Sequence, residues 1–245
     1  MLGGEPGASR STPAGRRPSD VVQRVQDVIV RGRLRPGDAL PTEADLCEAV
    51  GASRSSVREA IRTLAALDLV EVRHGHGTYV GRMSMDPLVE SVSFRGRLDR
   101  AEGSGLRREV GEVRERLDQS SAAAFLALPD AHPRGELVER LGVLAQQLRD
   151  LAARGAPWAQ EHRAFHLLLA EPLANGLHSE LTGAFHDIAA AMAALAAPSQ
   201  PATSRAALTH VAIVEAAGAG DPEALHAAVA AHYAPLLDQR AGQGA

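Results

Sequence analysis

The sequence predicts a mainly α-helical chain in two parts: three short helices closed by a β-hairpin, then an all-α bundle. Three observations predict it. Alanine and leucine abound while aromatics make up only 3% of the 245 residues, which favours helix-on-helix packing over a β-sandwich. Apolar residues recur at helical spacing through residues 20–67 and again from 106 onward. Between them, alternation in residues 69–73 and 78–80 flanks the glycine turn His74-Gly75-His76-Gly77. The length suits two domains, placed at residues 19–82 and 106–240, with a disordered arm over 1–18 and a linker over 83–105.

The first helix spans residues 20–34, with Ser19 as cap and Val21, Val25, Val28 and Ile29 on its buried side. A turn at Arg35-Pro36-Gly37-Asp38 leads to a second helix over 44–50, capped by Thr42 and ended by Gly51. The third opens at Ser53, and Val57, Ile61, Leu64 and Leu67 mark its buried stripe. Arg54 and Arg58 share one face, and Ser55 and Ser56 fill the first turn. Guanidiniums and hydroxyls on the first turn of a helix pinned to a core suit the DNA major groove. Three helices and a hairpin make a winged helix-turn-helix, with Arg73, His74, Gly75 and His76 at the wing tip, where phosphates or the minor groove would be met.

Charge agrees in direction. The net of −4 divides into +2 over residues 1–82 and −6 over the rest, and all 26 basic residues are arginine. Cys47 is the single cysteine, so an internal disulfide framework is excluded and a reducing compartment fits. No apolar run approaches the ~18 residues of a membrane span, and residues 1–19, rich in Gly, Pro, Ser and Arg, lack the apolar core of a signal peptide. The expected location is the cytoplasm.

Residues 83–105 are expected to hold a short helix over 87–94 and then a charged, glycine-bearing loop. Six helices follow, over 106–128, 133–154, 158–170, 175–196, 204–217 and 222–239. His162 and His166 lie one turn apart on the third of these, a spacing that lets two imidazoles grip one transition metal. His210 and His232 sit on the last two helices, about seven residues before and ten after the connecting turn. At ~1.5 Å per residue their heights differ by only ~4–5 Å. Taken by spacing alone, these histidines read first as ordinary core or surface residues. His178, His186 and His226 lack a pattern partner and read as structural, as Trp158 and Phe165 read as core.

The blocks Leu34-Arg35-Pro36-Gly37-Asp38-Ala39-Leu40-Pro41-Thr42-Glu43, Ser53-Arg54-Ser55-Ser56-Val57-Arg58-Glu59-Ala60 and Gly75-His76-Gly77-Thr78-Tyr79-Val80 resemble the GntR family of bacterial transcriptional regulators. The resemblance implies a homodimer that places two recognition helices on an inverted repeat of double-stranded DNA. It also implies repression relieved by an effector. One departure stands out: an arginine usually follows the glutamate of the second-helix motif, and here Ala44 removes that contact.

The C-terminal half is similar to the FCD ligand-binding domain of the FadR subgroup, on Glu112-Val113-Arg114, Leu117-Asp118, Phe165-His166, Ala174-Asn175, His210 with Ile213, and His232. That resemblance implies a divalent metal held by an aspartate and three histidines, with a small organic acid completing the coordination. Here His162 occupies the aspartate's position, so the expected ligands are His162, His166, His210 and His232. Such an all-imidazole set favours zinc, with nickel possible, over manganese. Arg114 is either the anchor for the effector carboxylate or a solvated helix arginine; Asn175 either lines the pocket or caps the following helix. Glu161 lies too far round the helix from His166 to substitute as a ligand.

Three functions compete on these residues. The preferred one is a DNA-binding regulator controlled by a small carboxylate at a metal. A second is a metal sensor, in which the metal itself is the effector. The third, a metal-dependent hydrolase joined to a DNA-binding module, lacks its general base, because Arg163 follows His162 where a glutamate is needed. No glycine-rich phosphate loop or nucleophile motif appears, so no enzymatic activity is expected.

Overall fold

In a computed structural model, residues 18–99, 105–129, 133–194 and 200–237 are described; the N-terminal arm expected before Pro18 lies outside them. The chain divides into two compact units, residues 1–87 and 88–245.

The first unit holds α1 (Pro18–Arg31), α2 (Glu43–Val50), α3 (Arg54–Ala66), β1 (Val70–Arg73) and β2 (Gly77–Val80). Val21 and Val25 of α1, Leu46 and Val50 of α2, and Val57, Ile61 and Leu64 of α3 close on Val70 and Val80 to form its core. Burying each such aliphatic side chain contributes roughly 1.5–3 kcal/mol. β1 and β2 pair antiparallel, with Val70 opposite Val80 and Arg73 opposite Gly77. Beyond the expected hairpin, the segment after α1 joins as a short third edge. Leu40 N donates to Thr78 O at 2.8 Å and Val80 N to Asp38 O at 2.8 Å. Gly81 admits no side chain, because a Cβ there would run into the Asp68 carbonyl; this close approach docks the wing's exit on the end of α3.

The second unit comprises α4 (Asp86–Asp99), α5 (Leu106–Leu126), α6 (Pro133–Ala153), α7 (Ala159–Ala170), α8 (Gly176–Ala194), α9 (Gln200–Ala219) and α10 (Pro222–Leu237), with a 3-10 turn at Glu171–Leu173. α6 packs on α9, α10 on α5 and α9, and α7 on α6 and α8. Phe125, Leu141, Leu148, Phe165, Leu169, Ile213, Leu225, Val229 and Tyr233 are buried between them. No helix among the described residues is long and apolar enough to cross a membrane.

Two expectations about element ends are corrected. Helix α4 runs to Asp99, through the stretch read as a loop from residue 96. Gly96 is a packing position there: a Cβ would stand 3.2 Å from Met192, so the glycine permits close approach to α8 instead of breaking α4. Helix α9 starts at Gln200, ahead of the expected residue 204, because Pro201 falls in its first turn, where no backbone N–H is required.

Candidate functional sites

The N-terminal unit presents α3 by its first turn. Ser53 caps the helix: its Oγ accepts from Ser56 N at 3.3 Å and lies 2.9 Å from the hydroxyls of both Ser55 and Ser56. Thr42 caps α2 in the same way, accepting from Asp45 N at 3.4 Å. Arg54 and Arg58 are both exposed, but they differ in company. Arg58 Nε donates to Glu43 Oε2 at 2.8 Å, so α2 holds that guanidinium in place. At the wing, Arg73 pairs with Glu71 at 2.9 Å and lies 4.1 Å from the Tyr79 ring centroid. His74, Gly75 and His76 are exposed at the tip, and the His76 Nδ1 lies 3.0 Å from the His74 carbonyl, which leaves Nε2 facing out. Ala44 is exposed on α2, where its methyl offers no polar contact.

In the helical unit the expected histidines converge. The ligand nitrogens of His162, His166, His210 and His232 all lie within 4.8 Å of one another. The two Nε2 atoms of His162 and His166 are 3.1 Å apart. Imidazoles bound to one zinc at about 2.0–2.1 Å stand roughly 3.3 Å from each other in a tetrahedron, so the donor set fits such an ion with small side-chain movements. Two of the four rings have a polar group behind them. Thr209 Oγ1 lies 2.7 Å from His232 Nδ1, which turns its Nε2 to the cluster. Asp118 Oδ2 stands 2.6 Å from His166 Nδ1, a close contact off the ring's N–H axis, and also accepts from Tyr233 Oη at 2.6 Å. Burial, and next the charge of Asp118, push the Tyr233 phenol up, so it stays a donor.

His162 and His232 are drawn well below the usual imidazole range, by burial first and then by neighbouring rings. Neutral imidazoles are the form a metal requires.

A fifth ring, read as structural from sequence, packs against the same cluster. His186 is buried, its centroid 4.3 Å from that of His166, and it forms a second possible ligand group with Asp118 and His166. It also receives Arg114, whose Nη2 lies 3.1 Å from Nδ1 and 3.4 Å from Nε2. Burial, then the Arg114 charge, hold His186 well below its usual range, so it can accept. Arg114 itself is only 4% exposed, which rules out the solvated role. Its Nε is buried without a hydrogen-bond partner among the described residues, as are Asp118 Oδ1 and Thr182 Oγ1. Asn175, by contrast, is exposed, and its Oδ1 accepts from His178 N at 3.2 Å: of the two roles open to it, the cap of α8 is the one seen. His178 in turn reaches Ser121 Oγ at 3.0 Å.

A signal for His186 was available. His178, Thr182 and His186 recur every fourth residue on one face of α8, and Arg114, Asp118 and Ser121 share a face of α5 at spacings of four and three. The two polar stripes meet, Arg114 against His186 and Ser121 against His178.

Comparison with known proteins bears on both units. Residues 18–80 match bacterial regulatory proteins of the gntR family, and residues 109–235, just over half the chain, match the FCD domain. The chain belongs to the GntR family. The HTH-type transcriptional regulator LutR of Bacillus subtilis is 32% identical over 63% of this chain and 67% of its own length. The Uxu operon transcriptional regulator of Escherichia coli is 31% identical over 70% of this chain and 65% of its own. A solved structure of Streptococcus agalactiae GntR shares the fold, with a TM-score of 0.61 at 24% identity, covering 88% of this chain and 96% of that one. As a GntR-family regulator with an FCD domain, the chain is a DNA-binding protein and not an enzyme.

Proposed function

We propose that the chain is a repressor that binds an inverted-repeat operator as a cytoplasmic homodimer, controlled by a small carboxylate held at a metal in the helical unit. The observation that carries this reading is the convergence of four imidazoles beside a buried arginine whose partner is a neutral ring. On the DNA side, Arg54, Ser55 and Ser56 would meet base edges and phosphates from the first turn of α3, with Ser53 and Thr42 capping α3 and α2 beside them. Arg58 would contact phosphate from a fixed position, and Arg73, His74, Gly75 and His76 would lie along the backbone at the wing.

His162, His166, His210 and His232 would hold the metal, zinc by preference and nickel next, since neutral imidazoles suit later divalent ions. A bound ion would offer a Lewis-acidic centre to a carboxylate oxygen. Arg114 would then orient the acid through a charge-assisted bond from its buried Nε. An effector that binds one arrangement of the dimer better than another shifts the equilibrium between DNA-competent and incompetent states.

The test is thermal melting of full-length protein, stripped of metal and then repleted with zinc, against a panel of small carboxylates. Ligands that bind the native state raise its melting temperature by mass action. A carboxylate should stabilise only when zinc is present, and His166→Ala should abolish both effects. Stabilisation by zinc alone, with no acid adding to it, favours the metal sensor, a reading the all-imidazole donor set keeps open.

A further inference from the structure

The charges inside the chamber do not balance, and their surplus says what kind of acid it takes. Four imidazole ligands carry no formal charge, so a divalent ion among them keeps its full +2. Arg114 adds a third positive charge at 4% exposure. Its partner His186 is a neutral acceptor, which fixes the guanidinium without neutralising it; a carboxylate at 186 would have cancelled that charge. Asp118, between His166 and Tyr233, is the acid set against the rings among the described residues, and it offsets one charge. Two positive charges would remain among largely buried groups, where uncompensated charge is costly.

Two unpartnered polar atoms point the same way, while a third, Asp118 Oδ1, belongs to the acid already counted. Arg114 Nε and Thr182 Oγ1 are buried donors with no partner among the described residues. Thr182 lies one helical turn from His186 on the face of α8 that meets Arg114 of α5. Arg114 and Thr182 stand in the two facing polar stripes of α5 and α8, where His186 packs on His166 beside the imidazole cluster. The chamber thus has two cationic centres.

We propose that the effector is a dianion, a short dicarboxylate, with one carboxylate at the four-histidine set and the other at Arg114 and Thr182. This rests on the metal-and-carboxylate reading above. It names a narrower class: acids with one carboxylate leave one centre uncompensated, and neutral ligands leave both.

Isothermal titration of zinc-loaded full-length protein tests it, with succinate and glutarate compared with butyrate and valerate of equal carbon number, and the acid–zinc blank subtracted. The dicarboxylates should bind at least tenfold tighter. Arg114→Gln should bring each pair within about threefold while zinc affinity is retained. His162→Asp, which removes one unit of charge at the opposite end, should narrow the gap as well, and it serves if Arg114→Gln does not fold. Equal binding of succinate and butyrate by the parent overturns the proposal. So does a preference that survives both substitutions. Zinc binding with a preference for monocarboxylates sinks the dianion and spares the metal site, whereas no zinc binding, or no response to any acid, sinks both.

Discussion

At Asp118 a single carboxylate oxygen meets His166 and Tyr233, each at 2.6 Å, so this residue stands behind a fully buried ring of the cluster. It is not one of the four converging ligands, and its effect passes through His166. Asp118→Asn should therefore weaken zinc binding by about 10- to 100-fold, the range typical for loss of a carboxylate behind a ligating histidine, without unfolding the bundle. Competition with a zinc-sensitive dye measures it; affinity within threefold of the parent would show that His166 needs no such support. The buried imidazoles also fix how the metal-free protein responds to acid. His162, His186 and His232 have folded pKa values well below the 6.5 of a free imidazole. Below pH ~6.5 the unfolded chain takes up protons that the folded chain refuses, so stability is full above that pH and falls as pH drops through it. The slope is up to about 1.4 kcal/mol per pH unit per group. The melting temperature of the stripped protein should therefore fall between pH 7.5 and 5.5, and fall less in His186→Gln. An equal drop in both would place the acid sensitivity elsewhere.

At the scale of elements, α3 and the α5–α8 pair carry the two sites. In α3 the capping hydroxyl of Ser53 draws Ser55 and Ser56 into its own network, and Glu43 holds Arg58. Arg54 is then the guanidinium with the greater freedom to reach a base. Arg54→Ala should cost about 1–3 kcal/mol in binding to a selected operator and relax its preference at one position. Arg58→Ala should weaken all sequences alike. Fluorescence anisotropy on selected and scrambled duplexes separates the two, and uniform weakening by both substitutions would remove the distinction. The helices and the wing could be read in the sequence because caps, turns and apolar periods are local. The sites were legible where spacing was local too: His162 with His166, and His210 with His232 across a short turn. Asp118 stood only inside a family motif and His186 was read as structural, because what joins each to the cluster is packing between α5, α7 and α8. The third edge of the wing, supplied by residues 37–40, is hidden for the same reason: its hydrogen bonds run to residues some forty positions away.

For the whole molecule, the two compact units differ in charge: residues 1–87, which include the DNA-binding fold, are net positive and residues 88–245 net negative. Regulation requires that ligand binding in one unit change the affinity of the other, a coupling typically worth 5- to 150-fold and reciprocal between the two ligands. The most direct test is the dissociation constant of full-length protein for a duplex selected from a random pool, measured stripped, with zinc, and with zinc plus succinate at fixed ionic strength. Zinc with succinate should weaken DNA binding at least fivefold, and zinc alone by much less. An unchanged dissociation constant in all three states would contradict the account.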